Sequence, residues 1–496
     1  MKKTYWLLLF CLAWFFLRLP SLLFPQDELN GDVSVHLLMA LDWFQGGASR
    51  YMWGQNYLGT LENLWGALWF KVLPLKFPYL YLPTALLALL ADLLFLSLAS
   101  RVLPVRSLIF LILFLLFAPH ILVDEQILPA FSYSIVSILG FLAIAALSPL
   151  ARGFCLGLAF YVQPISVYFT VPLIFYELLN KNWRRLGWIA LGALPPLLFA
   201  YFSMTPIDES AGASERPTQY YFYQPFRLIL SFFVMLFGYP VTKHELTTTP
   251  SFIALAGGFT LGGLFVILFL AFPLKRIAQW SRGFGGLLTF VMLCQLILIP
   301  VLFMIKSYSG FDGYTNRYLW LWHYPVYFFA GWILGKWSQE GMGKRAYALL
   351  ILLCLTAGSL WGKFQLLKSP NPNQIFRAAV DYLRDQRISG VMGDYWAVYP
   401  IALLTRLDGP MILPAPLHGS IERNRAWSEE VGQMPRVAYL CLKAEPWCEK
   451  PAPEEIEVLG SKFKPDLIGK TISMPNQKED LLIRIYSQSS VHPSSR

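Results

Sequence analysis

Four acids stand in one short stretch of this sequence, "FPQDELNGDVSVHLLMALDWFQGG" from Phe24 to Gly47: Asp27, Glu28, Asp32 and Asp42. They follow a run of about twenty apolar residues, long enough to cross a bilayer, so they are expected at a membrane surface. Acids there are costly unless they stay wet or do work, and the work open to a carboxylate is that of a general base or a metal ligand. "GDVSVHLLMALDWF" has apolar residues on most turns and reads as a helix lying in the interface. Asp32 falls at its N-terminal end, where the unpaired backbone amides favour a carboxylate, so its plain reading is a helix cap. In the following "YMWGQNYLGTLEN", Gly54 and Gly59 let the backbone turn tightly and approach a ligand, and the stretch closes with Glu62. His36 lies one helical turn from Asp32 and could join it around a divalent cation, but two ligands do not make a site, so no metal or cofactor is assigned.

These residues need elements to position them, and composition says of what kind. The chain of 496 residues is 56% hydrophobic and only 14% charged, where roughly 25% charge is usual in soluble domains. Mean hydropathy is +0.49. The fold class expected is a polytopic α-helical membrane protein. The net charge of +10 reports cytoplasmic loops and anionic headgroups in such a chain, and nucleic acid is excluded as a partner.

Apolar runs place candidate spans at 5–24, 79–99, 107–122, 130–149, 153–163, 165–179, 186–203, 251–272, 284–305, 318–335 and 346–362, about eleven membrane segments. Lys2 and Lys3, Arg101 and Arg106, Arg152, Lys181 with Arg184 and Arg185, Lys275 with Arg276 and Arg282, and Lys336 with Lys344 and Arg345 all fall on one side of these spans. That side is cytoplasmic, which puts the N-terminus inside and the acid-bearing first loop, 25–78, outside. Between Arg152 and "KNWRR", Gln163 and Pro164 break an apolar stretch into a hairpin of two short helices. The first run is a signal anchor, since no small-residue cleavage site follows it.

From Gln365 onward the composition is that of a soluble domain. "NQIFRAAVDYLRDQR" and "YWAVYPIALLTRL" read as helices, and "ISGVMGD", "RVAYLCL" and "DLLIRIY" as strands. The expected organisation is therefore a transmembrane module over 1–362, with juxtamembrane helices in its first loop, and an extracytoplasmic α/β domain over 363–496, periplasmic if the cell is Gram-negative. Cys441 and Cys448 lie in an oxidising compartment on this topology and are expected to form a disulfide.

The pattern of an acid after the first span, a glycine about fourteen positions on, and then "GQNYLGTLE" resembles the GT-C membrane glycosyltransferases. The branch is the bacterial one grouped with protein O-mannosyltransferases and the lipid A aminoarabinose and galacturonic acid transferases. In that branch the first acid is commonly followed by glutamate, whereas Asp32 is followed by Val33. Either Asp32 is the family's acid without its neighbour, or Asp27 and Glu28 are the pair in a shifted register; the spacing to Gly46 and "GQNYLG" favours Asp32. "SGFDGYTNRYLWLWHYPVYF" resembles the family's Arg-Tyr at the outer start of a late span, and "GDYWAVYPIALLTRLDG" resembles the strand and helix of its soluble domain.

What the resemblance implies is transfer, with inversion, of a sugar from a polyprenyl-phosphate donor to a lipid, glycan or protein acceptor at the outer surface of the cell membrane. Asp32 would be the base. Arg317 would hold the donor phosphate as a planar fork, Tyr318, Gln55, Tyr57 and Glu62 would line the substrate site, and Asp124 in the loop 123–129 would support it. A polysaccharide polymerase or ligase would share the polyprenyl-linked donor. A lipid or solute transporter is the competing class, against which the spans hold few buried charges of the kind that line an ion path.

Overall fold

The computed structural model describes residues 2–23, 30–47, 49–53, 58–76, 79–118, 120–129, 132–203, 284–306, 320–368, 373–418, 424–442, 454–459, 461–472 and 480–488. In chain order its helices and strands are α1 Lys2–Leu23, α2 Gly31–Phe44, α3 Leu61–Phe70, α4 Leu82–Ala99, α5 Val105–Leu116, α6 His120–Ile127, α7 Tyr133–Ala145, α8 Pro149–Val162, α9 Val167–Leu179, α10 Trp183–Ser203, α11 Phe284–Lys306, α12 His323–Trp337, α13 Met342–Lys368 and α14 Asn373–Asp385. There follow β1 Gly390–Asp394, α15 Tyr395–Asp408, β2 Leu413–His418, α16 Arg425–Gly432, β3 Arg436–Leu442, β4 Ile456–Val458, β5 Ser461–Ile472 and β6 Leu481–Gln488. The expected span 251–272 lies outside the described residues. The run at 107–122 is not one helix: α5 ends at Leu116 and α6 begins at His120, because the residue before Pro119 is pushed out of the helical region. The segment 123–129, expected as a loop, is thus largely helical.

These elements build two compact units. The first contains α1 and the helices from α4 to α13. Among the described residues three helices, Tyr79–Ala99, Trp183–Ser203 and Met342–Leu360, are long and apolar enough to cross a membrane, and several shorter apolar helices accompany them. Phe16, Val105, Phe199, Phe202 and Leu353 are exposed on its surface, an apolar covering that suits lipid and not water. The break between α8 and α9 falls at Gln163 and Pro164.

Lipid tails are as apolar as leucine, so helices in a membrane associate through close backbone packing instead of a hydrophobic drive. Two glycine pairs spaced four apart supply it here. A Cβ on Gly153 would stand 2.0 Å from the Ile189 carbonyl, and one on Gly157 2.7 Å from that of Ala193, so α8 lies directly on the α10 backbone. Gly331 and Gly335 do the same for α12 against Ser107 of α5.

The second unit contains α2 and α3, from the first loop, together with all elements from α14 on. Its frame is a six-stranded sheet in the order β2-β1-β3-β6-β5-β4. β1 pairs in parallel with β2 and β3, whereas β3–β6, β6–β5 and β5–β4 are antiparallel. In α14 the buried Ile375, Phe376, Ala379, Val380 and Leu383 recur at helical spacing. Met392, Val437, Tyr439, Phe463 and Tyr486 fill the core on one face of the sheet. Because β1 connects to β2 on one side while β3 flanks it on the other, the carboxyl end of β1 is the kind of crevice where open α/β sheets receive ligands. Gly393 and Asp394 close that strand.

Candidate active site

Asp32 lies in the first turn of α2, but it is not the cap. Asn30 is: its side chain accepts the Val33 amide at 2.9 Å. Both residue types cap helices well, and the one that precedes the helix takes the role. Asp32, half-buried, accepts a hydrogen bond from the Tyr395 hydroxyl at 2.8 Å on Oδ1.

Three local features bring Tyr395 there. Gly393 sits at φ +127°, a conformation that side chains resist, with its Cα facing the Leu440 carbonyl so closely that a Cβ would stand 2.2 Å away. The β1–β2 register shifts between Gly393 and Asp394, which turns the chain out of the sheet. Asp394 then caps α15 by accepting the Trp396 amide at 3.1 Å, so Tyr395 is the first residue of that helix. On the other side Gly31 makes room: a Cβ there would meet the Tyr395 ring at 2.2 Å.

The far ends of the same two helices also meet, since Arg406 near the end of α15 donates to Gln45, which caps the end of α2. Start touches start and end touches end, so α2 and α15 run side by side in the same direction. The positive ends of both helix dipoles therefore lie at the Asp32 end of the pair, which favours negative charge there.

Around this pair the first loop is tied down. Gly46, at φ +99°, ends α2. Ser49 offers its carbonyl to Trp43 at 3.1 Å and to Thr60 at 2.8 Å, while Tyr51 and Gly59 form an antiparallel bridge. Trp53 packs edge-on against Trp427 at 4.9 Å. Glu62 is buried in the first turn of α3. His36 is buried too, and Asn63 holds it: the Asn63 amide nitrogen is 3.2 Å from Nδ1 and donates to the His36 carbonyl at 2.8 Å. That makes it a packed histidine, and no group of three metal-ligating side chains occurs among the described residues.

Gln55, Tyr57, Arg317, Tyr318, Asp27, Glu28 and Cys448 lie outside the described residues. Asp124 falls on α6, its side chain likewise outside them. Cys441 is disulfide-bonded. Tyr395, Gly31 and Asn30 are the site residues that sequence reasoning missed. The quoted "GDYWAVYPIALLTRLDG" contained Tyr395, yet nothing in it pointed to a carboxylate far back in the chain.

The first unit holds a second acid. Asp92 of α4 is wholly buried and accepts from Trp14 Nε1 at 2.8 Å, Tyr324 Oη at 3.1 Å and Gln126 Nε2 at 3.3 Å, with Arg18 at 3.7 Å. The Arg18 guanidinium lies over the Trp14 ring, 4.0 Å from its centroid, and donates to the Leu115 carbonyl. A second buried pair joins Arg152 to Glu177 at 2.6 Å, with Asn182 on the other carboxylate oxygen at 2.8 Å. The expectation of few buried charges is therefore corrected. The sequence placed Arg152 among the cytoplasmic loop cations and singled out neither Arg18, Asp92 nor Glu177, and only the fold reveals the pairs.

An apolar helical unit and a sheet-bearing unit that carries the first-loop acid make up a fold that is shared with solved structures. The solved structures that share it include ArnT from Cupriavidus metallidurans in the apo state, at 13% identity over 97% of this chain and 98% of that one, with a TM-score of 0.56. ArnT from Cupriavidus metallidurans bound to undecaprenyl phosphate matches over the same shares at 14% identity and a TM-score of 0.52. At such identities the likeness is one of fold. No protein-family model matches the chain, and neither does any curated protein sequence.

Proposed function

We propose that this chain is an integral membrane glycosyltransferase that moves a sugar from a polyprenyl-phosphate donor to a lipid, glycan or protein acceptor on the extracytoplasmic side. The observation that carries the reading is Asp32 itself. The side chain that caps α2 is Asn30, and the Asp32 carboxylate stands half-buried beside it, held by a tyrosine, in a chain with the fold of a protein that has been solved with undecaprenyl phosphate.

Asp32 takes the proton of the acceptor hydroxyl or amine as that atom bonds to the anomeric carbon. The bond from that carbon to the phosphate oxygen breaks, its electron pair leaves with polyprenyl phosphate, and the sugar inverts. Phosphate leaves readily once its charge is met by cations, so no general acid is required, and Arg317 is assigned that role. Tyr318, Gln55, Tyr57, Glu62 and Asp124 complete the proposed substrate contacts, the outer domain is extracytoplasmic, and Cys441 pairs with Cys448.

The test is turnover of a polyprenyl-phosphate sugar by the purified protein. Asp32→Asn keeps the size of the side chain and should lower transfer by the roughly 10²- to 10⁴-fold that a positioned base contributes, with thermal stability held. Asp27→Asn and Glu28→Gln should do much less. Normal turnover in Asp32→Asn beside a dead Asp27 or Glu28 variant would move the base to that pair. Mass spectrometry of lipids and surface glycans from a deletion strain would name the sugar and its acceptor.

A further inference from the structure

We infer that Tyr395 is a positioning residue for the base, so that the sheet-bearing domain is part of the catalytic apparatus and not only a platform for acceptors. The inference rests on the reading of Asp32 given above. A carboxylate on a helix surface turns about two side-chain torsions, and a base works only when its oxygen stays within hydrogen-bond reach of the acceptor proton. The Tyr395 hydroxyl, 2.8 Å from Oδ1, removes that freedom.

The tyrosine is itself wholly buried and fixed. Its ring packs edge-on against Trp396 and Tyr399, at 4.9 Å and 5.1 Å between centroids. Gly31 leaves no Cβ to push the ring away, and Gly393, the strand irregularity and the Asp394 cap aim it. Arg406 on Gln45 holds the opposite end of the same helix pair. A tyrosine that only filled space would need its ring; this arrangement also specifies where the hydroxyl points.

Tyr395→Phe keeps the ring against Gly31 and deletes only that donor. Hydrogen bonds to charged groups and small misplacements of a catalytic group each act on this scale, so kcat should fall roughly 10- to 100-fold. KM for the polyprenyl-phosphate sugar should stay within about twofold and the melting temperature should be nearly unchanged. In the Asp32→Asn background the same substitution should cost nothing further, because the group it positions no longer acts as a base.

Two results would overturn the inference. One is normal turnover of Tyr395→Phe while Asp32→Asn is inactive, which leaves the base standing and removes its positioner. The other is an equal loss in both backgrounds, which makes Tyr395 act independently of Asp32. Normal turnover of Asp32→Asn itself is a separate result, and it sinks the base assignment.

Discussion

The molecule holds two acids in contrasting settings, Asp92 among the apolar helices and Asp32 at the start of α2. Asp92 is wholly buried, with an indole, a phenol and an amide donating to its oxygens and a guanidinium beside it, drawn from three other helices. Such a carboxylate is a fastening: its oxygens are occupied, and its charge is balanced in place. Asp32 is half-buried in the first turn of α2, where Tyr395, the residue that follows the bent end of β1, donates to it. A tyrosine can steady a carboxylate without neutralising it, which a base requires and a structural acid does not. Burial and an arginine mark the first kind; partial exposure and a neutral donor mark the second.

Substitutions should separate the two kinds. Asp32→Asn is expected to show the largest effect of all, on turnover alone, at the 10²- to 10⁴-fold scale given above. Asp92→Ala should act on the fold instead. It strands a buried guanidinium, and breaking a buried pair from one side costs about 3–5 kcal/mol, so a low yield and a lowered melting temperature in detergent are expected. A stable but inactive Asp92→Ala protein would erase the distinction.

Gly31→Ala comes next, since the added methyl must displace the Tyr395 ring, an overpacking that costs about 1–3 kcal/mol. Its turnover should fall further than its stability explains, and unchanged turnover would mean that the ring has other room. Asn30→Ala should be the mildest: loss of a helix cap costs about 1 kcal/mol, seen as a small drop in melting temperature with activity retained. If Asn30→Ala instead abolishes transfer, Asn30 belongs with the site.

Local patterns carried much of this architecture. Apolar runs marked helices such as Tyr79–Ala99, and Gln163-Pro164 marked a break, because helix length and proline geometry act within a few residues. The strands Arg436–Leu442 and Leu481–Gln488 were readable as apolar runs, whereas the edge strand β4 and its neighbour β5, with Lys462, Lys464 and Pro465 in β5, carried no such signal. The glycine pairs Gly153/Gly157 and Gly331/Gly335 were legible and went unread. What no local pattern could supply was pairing. Arg18 with Asp92, Arg152 with Glu177 and Tyr395 with Asp32 are ordinary residues until the fold brings them together, and the choice between Asn30 and Asp32 as cap depended on where the helix began.

The distance along the chain between Asp32 and Tyr395 sets a timetable for synthesis. Their separation is 363 residues, and a ribosome adding about 5–20 residues per second needs roughly 20 to 70 s to cover it. For that interval the acid has been made and its tyrosine has not. A nascent chain therefore carries its proposed base without the group proposed to aim it until the apolar helices through α13 have been made, and a chain interrupted before β1 never acquires it.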